Sequence, residues 1–398
     1  MIMMIANQND PLTNFKDKTL IILTPSYPNK DEARIGASFV KYQVSELKKY
    51  FKNVIVIAPV FRFFGFLKKD RLCTDYSYDN VDVYYPGCVY IPIFWLNKRL
   101  IDNRLQVVEK FIEEHHIYFD LIHAHFTWPS GYIAVRLKKK YKKPVITTIH
   151  ENSEWFDLEV ELNNVLINTS WSEADVLIRV NKKDVSVLRR YNKEVYSIPN
   201  GFSPAFHPVD TLDARERLGL PKDIKIVFTL GVLNKRKGFN YLIDAIKQVS
   251  NQRNDVLCFI GGAGSERKKL ENQIDRLHLK EKVKLLGSVP GDQLPLWMNA
   301  CNLFVLPSLA ESFGVVQIEA MACGKPVVSA RNRGSEEVII SNDYGFLVEP
   351  ASSKDLADKI LMALDLEWNR ETLLAYAARF TWENVIKDVL TIYDKILK

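Results

Sequence analysis

The amino-acid sequence predicts an α/β protein of two doubly wound parallel-sheet domains that face a central cleft. Three observations support this fold class. Short apolar, β-branched runs alternate with helix-length amphipathic segments along the whole chain. The alternation begins again after a turn-rich segment at 199–204, Pro-Asn-Gly-Phe-Ser-Pro. Finally, 398 residues are too many for one ordinary core and suit two domains.

The first domain is predicted over residues 1–200. Its candidate strands are short and apolar, at 19–24, 54–58, 120–125, 145–149 and 176–178. Strands that are apolar on both faces are typical of parallel sheets covered by helices on both sides. Because helix-length segments separate these strands, the first half is predicted to be doubly wound.

The second domain is predicted over residues 201–380, with candidate strands at 224–230, 256–260, 283–286, 303–306 and 326–329. The last segment, about 381–398, has apolar residues at 382, 385, 386, 389, 390, 393 and 397, which is helical spacing. This helix needs a surface, and we expect it to pack back on the first domain. A ligand is expected in the cleft, at the carboxyl ends of the strands.

Composition narrows the class of protein and its location. Residues 1–200 carry 28 Lys and Arg against 23 Asp and Glu, and the remainder 26 against 25. This small basic excess argues against a nucleic-acid partner and suits anionic small molecules or an anionic membrane surface. Five scattered cysteines without a Cys-x-x-Cys pair indicate buried free thiols in a reducing compartment. With no signal-like or membrane-spanning run, the protein is expected to be cytoplasmic.

The segment 307–328 carries the clearest chemistry, because it is predicted to form a strand, a loop, a helix and a strand. Ser312 is the expected helix cap, and Gly324-Lys-Pro326 the expected stop. The free amides of Ser312, Phe313 and Gly314 would point out of the helix start and favour a phosphate. Carboxylates at Glu311 and Glu319 would accept hydrogen bonds from sugar hydroxyls.

This pair of glutamates resembles the signature of retaining glycosyltransferase family 4. The matching stretches are Glu311-Ser-Phe-Gly and Glu319-Ala-Met-Ala-Cys-Gly-Lys-Pro-Val, and the likeness runs from Leu20 to the C-terminal helix. The resemblance implies the GT-B architecture of two Rossmann-like domains. It also implies a UDP- or GDP-sugar donor, a hydroxyl acceptor and retention of anomeric configuration. By resemblance, Glu311 holds donor-sugar hydroxyls and Glu319 the ribose.

A second match is the basic loop Gly231-Val-Leu-Asn-Lys-Arg-Lys-Gly238. The family pattern has one cation after the leading glycine and another before the closing glycine, and both grip the donor diphosphate. Lys237 supplies the second, whereas Val232 stands where Arg is usual. The resemblance therefore leaves open whether Arg236 or Lys235 replaces the missing charge, which a leaving diphosphate requires.

Further family positions follow the predicted strands. Gly36 opens a helix in a loop that would approach the donor phosphates, and Gly262 lies in the matching glycine-rich loop of the second domain. Val289 corresponds to the region that holds the base. His150 resembles the histidine that hydrogen-bonds near the donor sugar, with a structural histidine as the alternative. His125 suits the acceptor side of the cleft, or packing.

Several alternatives stay open at this point. The segment 60–69 mixes phenylalanines with cations, which predicts either a membrane-interface contact that brings the enzyme to a lipid-linked acceptor or a loop with aromatics packed inward. No Asp-x-Asp occurs, so we expect a metal-independent reaction without a cofactor. The rival functions are a GT-B sugar-nucleotide epimerase and a catalytically silent nucleotide-sugar-binding protein. The favoured acceptor is a lipid-linked glycan or a polysaccharide.

Overall fold

A computed structural model describes residues 15–31, 37–61, 73–88 and 98–398, which fold as two units. One unit comprises Met1–Gly201 together with Trp382–Lys398, and the other comprises Phe202–Thr381. Each contains a parallel sheet flanked by helices, which confirms the predicted α/β class of two Rossmann-like domains.

The first unit contains ten described strands. They are β1 (Phe15–Leu23), β2 (Phe51–Ile57), β3 (Val60–Phe61), β4 (Tyr76–Tyr78), β5 (Val81–Tyr84), β6 (Gly87–Cys88), β7 (Leu121–His125), β8 (Val145–Ile149), β9 (Val176–Arg179) and β10 (Val195–Ser197). Eight form one sheet in the order β10-β9-β8-β7-β1-β2-β5-β4, and β3 pairs with β6. In the larger sheet, only β4 runs antiparallel to its neighbour. The strand order reverses between β1 and β7, which makes this a topological switch point.

The second unit contains six described strands, which are β11 (Lys225–Leu230), β12 (Val256–Gly261), β13 (Val283–Gly287), β14 (Leu303–Leu306), β15 (Val327–Ala330) and β16 (Gly345–Val348). Their order is β13-β12-β11-β14-β15-β16, and all neighbours are parallel. Numbered within the unit, this is the 3-2-1-4-5-6 order of dinucleotide-binding folds. Its switch point lies between β11 and β14.

Helices cover both sheets. In the first unit they are α1 (Ser38–Leu47), α2 (Lys98–Glu114), α3 (Tyr132–Tyr141), α4 (Ser153–Leu162), α5 (Val165–Ser172) and α6 (Val185–Leu188). In the second unit they are α7 (Thr211–Leu218), α8 (Phe239–Ser250), α9 (Arg267–Arg276), α10 (Leu294–Ala300), α11 (Val315–Ala322), α12 (Arg333–Val338), α13 (Ser353–Asp365) and α14 (Arg370–Ala377). Polar side chains that accept from free amides begin several of them, namely Asn152, Asn164, Asp210, Ser352 and Asn369.

The last helix, α15 (Trp382–Leu397), belongs to the first unit although it follows the second in sequence. One face of it joins the core on one side of the first sheet, through Trp382, Val385, Ile386, Val389, Leu390, Ile392 and Tyr393. Trp382 packs so closely on Gly201 that a methyl group there would lie 2.6 Å from its ring. The helix thus completes a core that the first 201 residues leave uncovered.

Candidate functional site

The switch point of the second unit is where the two strongest sequence motifs meet. The basic loop follows β11, and the loop that carries Glu311 follows β14, the neighbouring strand. In open α/β sheets, ligands bind outside the carboxyl ends of the strands at this position. The sheet order therefore brings together two segments that are 74 residues apart in sequence.

Lys237 and Glu311 form an ion pair there. Lys237 Nζ lies 2.5 Å from Glu311 Oε1, and the side chains are only 13% and 11% exposed. Arg236 lies on the other side of the carboxylate, with Nη1 3.8 Å from Glu311 Oε2 and donating a hydrogen bond of 2.6 Å to the Ala310 carbonyl. Lys235 is exposed, and Val232 is 58% exposed. One carboxylate thus lies beside two cations.

Backbone packing explains why these side chains meet. The basic loop folds as a 3₁₀ turn, Lys235–Lys237, and Gly238 follows it with a φ of +65°. A methyl group on Gly238 would lie 2.1 Å from the Pro307 carbonyl oxygen, so only glycine allows this approach. The Leu309 amide also donates to the Arg236 carbonyl at 2.8 Å. The turn and the β14 loop are thereby fixed backbone to backbone.

The charge state of Glu311 follows from opposing effects. Burial favours the neutral carboxyl and raises its pKa, but the charge and hydrogen bond of Lys237, helped by Arg236, outweigh burial and leave the pKa below its ordinary value. Glu311 is therefore a carboxylate at neutral pH. A buried carboxylate with one oxygen near 3.8 Å from a guanidinium can still accept a hydroxyl hydrogen bond.

The start of helix α11 differs from the sequence-based expectation. Ser312 is not its cap, because the helix begins at Val315 after Gly314, whose φ is +80°. Phe313 is buried and packs on Phe380, with 5.8 Å between the ring centroids. Because Phe313 is held in the interior, the helix begins only after Gly314. The amides that open the helix are accordingly those of Val315 and the next residue.

Glu319 lies inside that helix and is almost completely buried. Its carboxyl group has no hydrogen-bond or ion-pair partner among the described residues. Burial raises its pKa to about 8, so it is largely protonated at neutral pH. Such a group gains hydrogen bonds only when a polar ligand reaches it.

The remaining predicted positions of the second unit lie at the same edge of the sheet. Gly262 has a φ of +135° and packs on the Gly231 carbonyl, where a methyl group would lie 1.8 Å from the oxygen. Gly231 in turn borders the Lys237 side chain, because a methyl group on Gly231 would lie 3.2 Å from Lys237 Cε. Val289 is 9% exposed and contacts Gly261 at the end of β12. The structure thus places them together but assigns them no role.

Two residues that support Glu311 escaped the sequence analysis. Gly334 touches the Glu311 loop so closely that a methyl group would lie 2.7 Å from the Phe313 amide and 2.9 Å from Glu311 Cβ. Asn332 donates to the Ser308 carbonyl at 2.8 Å and caps α12. A glycine two residues after an asparagine at a strand end is a weak signal, and only the packing reveals its use.

In the first unit, the predicted residues at the switch point are partly described. Gly36 and the segment 62–69 lie outside the described residues. His125 ends β7 and His150 follows β8, and they meet with His125 Nδ1 2.9 Å from His150 Nε2. His125 is fully buried and His150 is 5% exposed. The acceptor-side role of His125 and the donor-sugar role of His150 stay predictions.

Phe126, which follows His125 in the chain, has an unusual backbone conformation with φ of +72° and ψ of 146°. Such a conformation costs a non-glycine residue about 1–3 kcal/mol, and conformations of this kind cluster at active sites and ligand-binding sites. The ring of Phe126 lies 5.1 Å from that of His150, and the Phe126 amide donates to the Thr148 carbonyl at 2.8 Å. This feature was invisible in the sequence, where Phe126 reads as an ordinary apolar residue.

Other expectations can be compared with the described residues. All five cysteines are free and buried, as predicted. Among the described residues, no helix is long and apolar enough to cross a membrane, and no cluster of His, Cys, Asp and Glu could hold a metal ion. A surface cavity of about 610 Å³ in the second unit, lined in part by Arg331, Ile340 and Lys359, does not include the Lys237–Glu311 pair.

Comparisons with protein families match nearly the whole chain. Residues 21–206 match the model of Glycosyltransferase Family 4, and residues 210–380 match that of Glycosyl transferases group 1. The two matches meet at the junction between the two units of the structure.

Individual proteins resemble the chain as well. A D-inositol 3-phosphate glycosyltransferase of Corynebacterium urealyticum is 29% identical over 342 residues, which cover 78% of this chain and 80% of that protein. The sucrose-phosphate synthase of Thermosynechococcus elongatus superimposes with a TM-score of 0.77 at 23% identity, covering 95% of this chain and 99% of that one. HepE of Anabaena, solved in complex with UDP-glucose, gives a TM-score of 0.70 at 22% identity, covering 95% and 100%. These two structures are similar to the chain in fold.

Proposed function

The chain belongs to the family 4, group 1 glycosyltransferases of GT-B fold, and from this we propose that it moves a hexosyl group from a nucleoside-diphosphate sugar to a hydroxyl acceptor with retention of anomeric configuration. The observation that supports the proposal most is the Lys237–Glu311 pair at the switch point of the second sheet. A cation for phosphate and a carboxylate for hydroxyls, side by side, are the two groups that a sugar nucleotide requires.

The donor diphosphate is proposed to lie against Lys237 and Arg236. Val232 supplies no charge, and Lys235 is exposed, whereas Arg236 is anchored beside Glu311 by its bond to the Ala310 carbonyl. Arg236 is therefore the proposed replacement for the cation missing at Val232. The free amides at the start of α11 add partial positive charge nearby.

Glu311 is proposed to accept hydrogen bonds from donor-sugar hydroxyls, and Glu319 from the ribose. The low pKa of Glu311 keeps it ionised for this role. Gly262 and Val289 are proposed to border the nucleotide, and Ser312 to Gly314 to shape its phosphate side. HepE was solved with UDP-glucose, which favours a UDP-sugar as the first donor to test.

In the proposed reaction the bond between the sugar C1 and the diphosphate oxygen breaks, and the acceptor hydroxyl oxygen forms a new bond to C1 on the same face. The electron pair of the broken bond leaves with the diphosphate, and the leaving oxygen of the diphosphate takes the proton of the acceptor hydroxyl. Lys237 and Arg236 stabilise the negative charge that develops on this leaving group. In the first unit, His150 is proposed to give a hydrogen bond to the reacting sugar.

The reaction is proposed to need no metal, because two side-chain cations are available to the leaving group. Its acceptor is proposed to be a lipid-linked glycan or a polysaccharide on the cytoplasmic side, with a peripheral membrane contact. Turnover that persists unchanged after exhaustive chelation is the expected result. Activity that chelation abolishes and magnesium or manganese restores would contradict it.

A thermal-shift screen across UDP- and GDP-sugars tests the donor, since a ligand that binds only the folded protein raises the melting temperature, and more so the further its concentration exceeds its Kd. Product analysis of the stabilising donor, with and without acceptor glycans, then separates the candidate functions. A transferase forms a glycoside and releases the diphosphate, an epimerase converts the donor alone, and a silent binding protein does neither. Glycoside formation is the expected outcome.

A further inference from the structure

Three histidine rings of the first unit stack at the carboxyl ends of β7 and β8. The ring centroids of His123 and His125 are 4.6 Å apart with 21° between their planes, and those of His125 and His150 are 5.2 Å apart with 17°. All three are buried. Such a stack fixes the ring orientations before any ligand binds.

His123, at one end of the stack, has both ring nitrogens occupied. Its Nδ1 lies 2.6 Å from the hydroxyl of Tyr393 in α15, and its Nε2 lies 2.7 Å from Thr148 Oγ1. Burial lowers its pKa to about 3, so it is neutral. Because both of its nitrogens are paired, His123 has no ring nitrogen left for a ligand.

His125 and His150 share one hydrogen bond, which leaves His125 Nε2 and His150 Nδ1 without a partner among the described residues. Burial, reinforced by His123, lowers the pKa of both rings well below the ordinary value, so both are neutral at physiological pH. A neutral imidazole carries one N–H. The two neutral rings thus carry two N–H protons. One lies in the hydrogen bond between His125 Nδ1 and His150 Nε2, and the other must lie on one of the two outer nitrogens, which are His125 Nε2 and His150 Nδ1.

Burial decides which outer nitrogen carries that proton. A buried N–H without an acceptor is rarer than a buried acceptor without a donor. Both of these nitrogens are buried, but 5% of His150 is exposed and none of His125, so His150 is the ring that lies nearer to solvent and to a ligand. The less costly arrangement puts the N–H on His150 and leaves His125 Nε2 as a bare acceptor.

We propose that His125 is a positioning residue that donates from Nδ1 to His150 Nε2 and thereby makes His150 an Nδ1–H donor to an oxygen of the bound sugar. This inference rests on the proposed function, because it assumes that the sugar contacts His150. Phe39 and Phe126, at 4.6 and 5.1 Å from the His150 ring, confine it to one orientation. The ligand atom that fits is a hydroxyl or ring oxygen, and an N–H or ammonium group does not.

The protonation pattern can be measured without turnover. In the full chain labelled with ¹⁵N-histidine, NMR at neutral pH is expected to show both His125 and His150 protonated on Nδ1. Protonation of His150 on Nε2 would overturn the proposal. Because this readout needs no substrate, a correct tautomer with no sugar transfer would refute the proposed function alone.

Kinetics test the consequence for transfer. His125→Phe keeps a ring on His123 but removes the bond to His150, and we expect kcat to fall about five- to tenfold, the value of one hydrogen bond, with a donor KM within about twofold. His125→Asn restores an amide donor near the Nδ1 position and is expected to recover most of the rate. Transfer by His125→Phe at the wild-type rate would contradict the role.

Tyr393→Phe is the matched control, because it removes a hydrogen bond at the opposite end of the same stack. We expect it to lower the melting temperature while leaving both the His150 tautomer and kcat unchanged. If Tyr393→Phe lowered kcat as much as His125→Phe, the stack would be structural only, and the proposal would be wrong.

Discussion

Replacing Lys237 with methionine is the most informative perturbation of the second unit, since it removes one charge and nearly preserves the shape. The wild-type pair is 2.5 Å long, with side chains 13% and 11% exposed. Without Lys237, the carboxylate of Glu311 is left in a buried site with Arg236 at 3.8 Å as its remaining cation.

The magnitude follows from this geometry. Breaking a buried ion pair costs about 3–5 kcal/mol, because the remaining charge is left without a partner. About a tenth of each side chain is exposed and Arg236 remains close, so we expect a loss of about 2–3 kcal/mol of unfolding free energy at pH 8.

The loss should depend on pH in a defined direction. In the wild type, the pKa of Glu311 lies below its unfolded value of 4.5, so its stabilising effect is present above pH 4.5 and is lost as pH falls through the folded pKa. In Lys237→Met the cation that most lowers the pKa of Glu311 is gone, and we expect burial to raise this pKa above its ordinary value. The free energy of unfolding of the variant then falls relative to the wild type as pH rises from 4.5, and the difference is larger at pH 8 than at pH 5.

Urea unfolding of the full chain at pH 5 and pH 8 measures this difference. Lys235→Met removes an exposed charge from the same turn and is the control, expected to change stability by less than about 0.5 kcal/mol. The double variant Lys237→Met and Glu311→Gln should recover at least half of the lost stability but none of the transfer activity. An equal loss of unfolding free energy at both pH values would refute the reasoning. A double variant whose loss equals the sum of the losses of the two single variants would refute it as well.

Three further predictions concern the same unit. Burial raises the pKa of Glu319 from 4.5 to about 8, so the free energy of unfolding of the wild type falls as pH rises between these values. In urea unfolding, the stability of Glu319→Gln relative to the wild type should increase by about 3–5 kcal/mol between pH 5 and pH 9. A stability difference that does not change with pH would contradict this. Gly238→Ala should destabilise by at least about 2 kcal/mol more than Gly219→Ala, since both have a φ of +65° but only Gly238 meets a backbone oxygen; equal melting temperatures would show that no clash occurs. Arg236→Gln should weaken UDP binding in calorimetry by about tenfold, whereas Lys235→Gln should change it little; the reverse order would identify Lys235 as the replacement cation.

Periodicity predicted most of the regular structure. The strands at 145–149 and 303–306 have the predicted limits, the last helix, at 382–397, ends within one residue of the predicted 381–398, and other predicted strands differ by a few residues. The central strands of both sheets are buried and apolar, and for these the hydrophobic pattern is unambiguous. The sequence analysis missed β4 and β5, the last two strands at one edge of the eight-stranded sheet. Their segments, Tyr76–Tyr78 and Val81–Tyr84, mix polar and apolar residues.

The site was predictable only in part. The sequence motifs indicated Lys237 and Glu311, but nothing in the sequence showed their contact, which depends on strand order and on the glycine at 238. The helix start was misplaced at Ser312, because a serine before an apolar run is a common cap and the left-handed Gly314 has no distinct signal. Supporting contacts such as that of Gly334 follow from packing alone.

The rate of nucleoside-diphosphate release from a matched donor sugar and acceptor, compared between wild type and Glu311→Gln, tests the central claim most directly. Because Gln keeps the shape of Glu311 but removes the charge paired with Lys237, the account predicts a fall of at least about 100-fold in a variant that still unfolds cooperatively. Release by Glu311→Gln at the wild-type rate would contradict it.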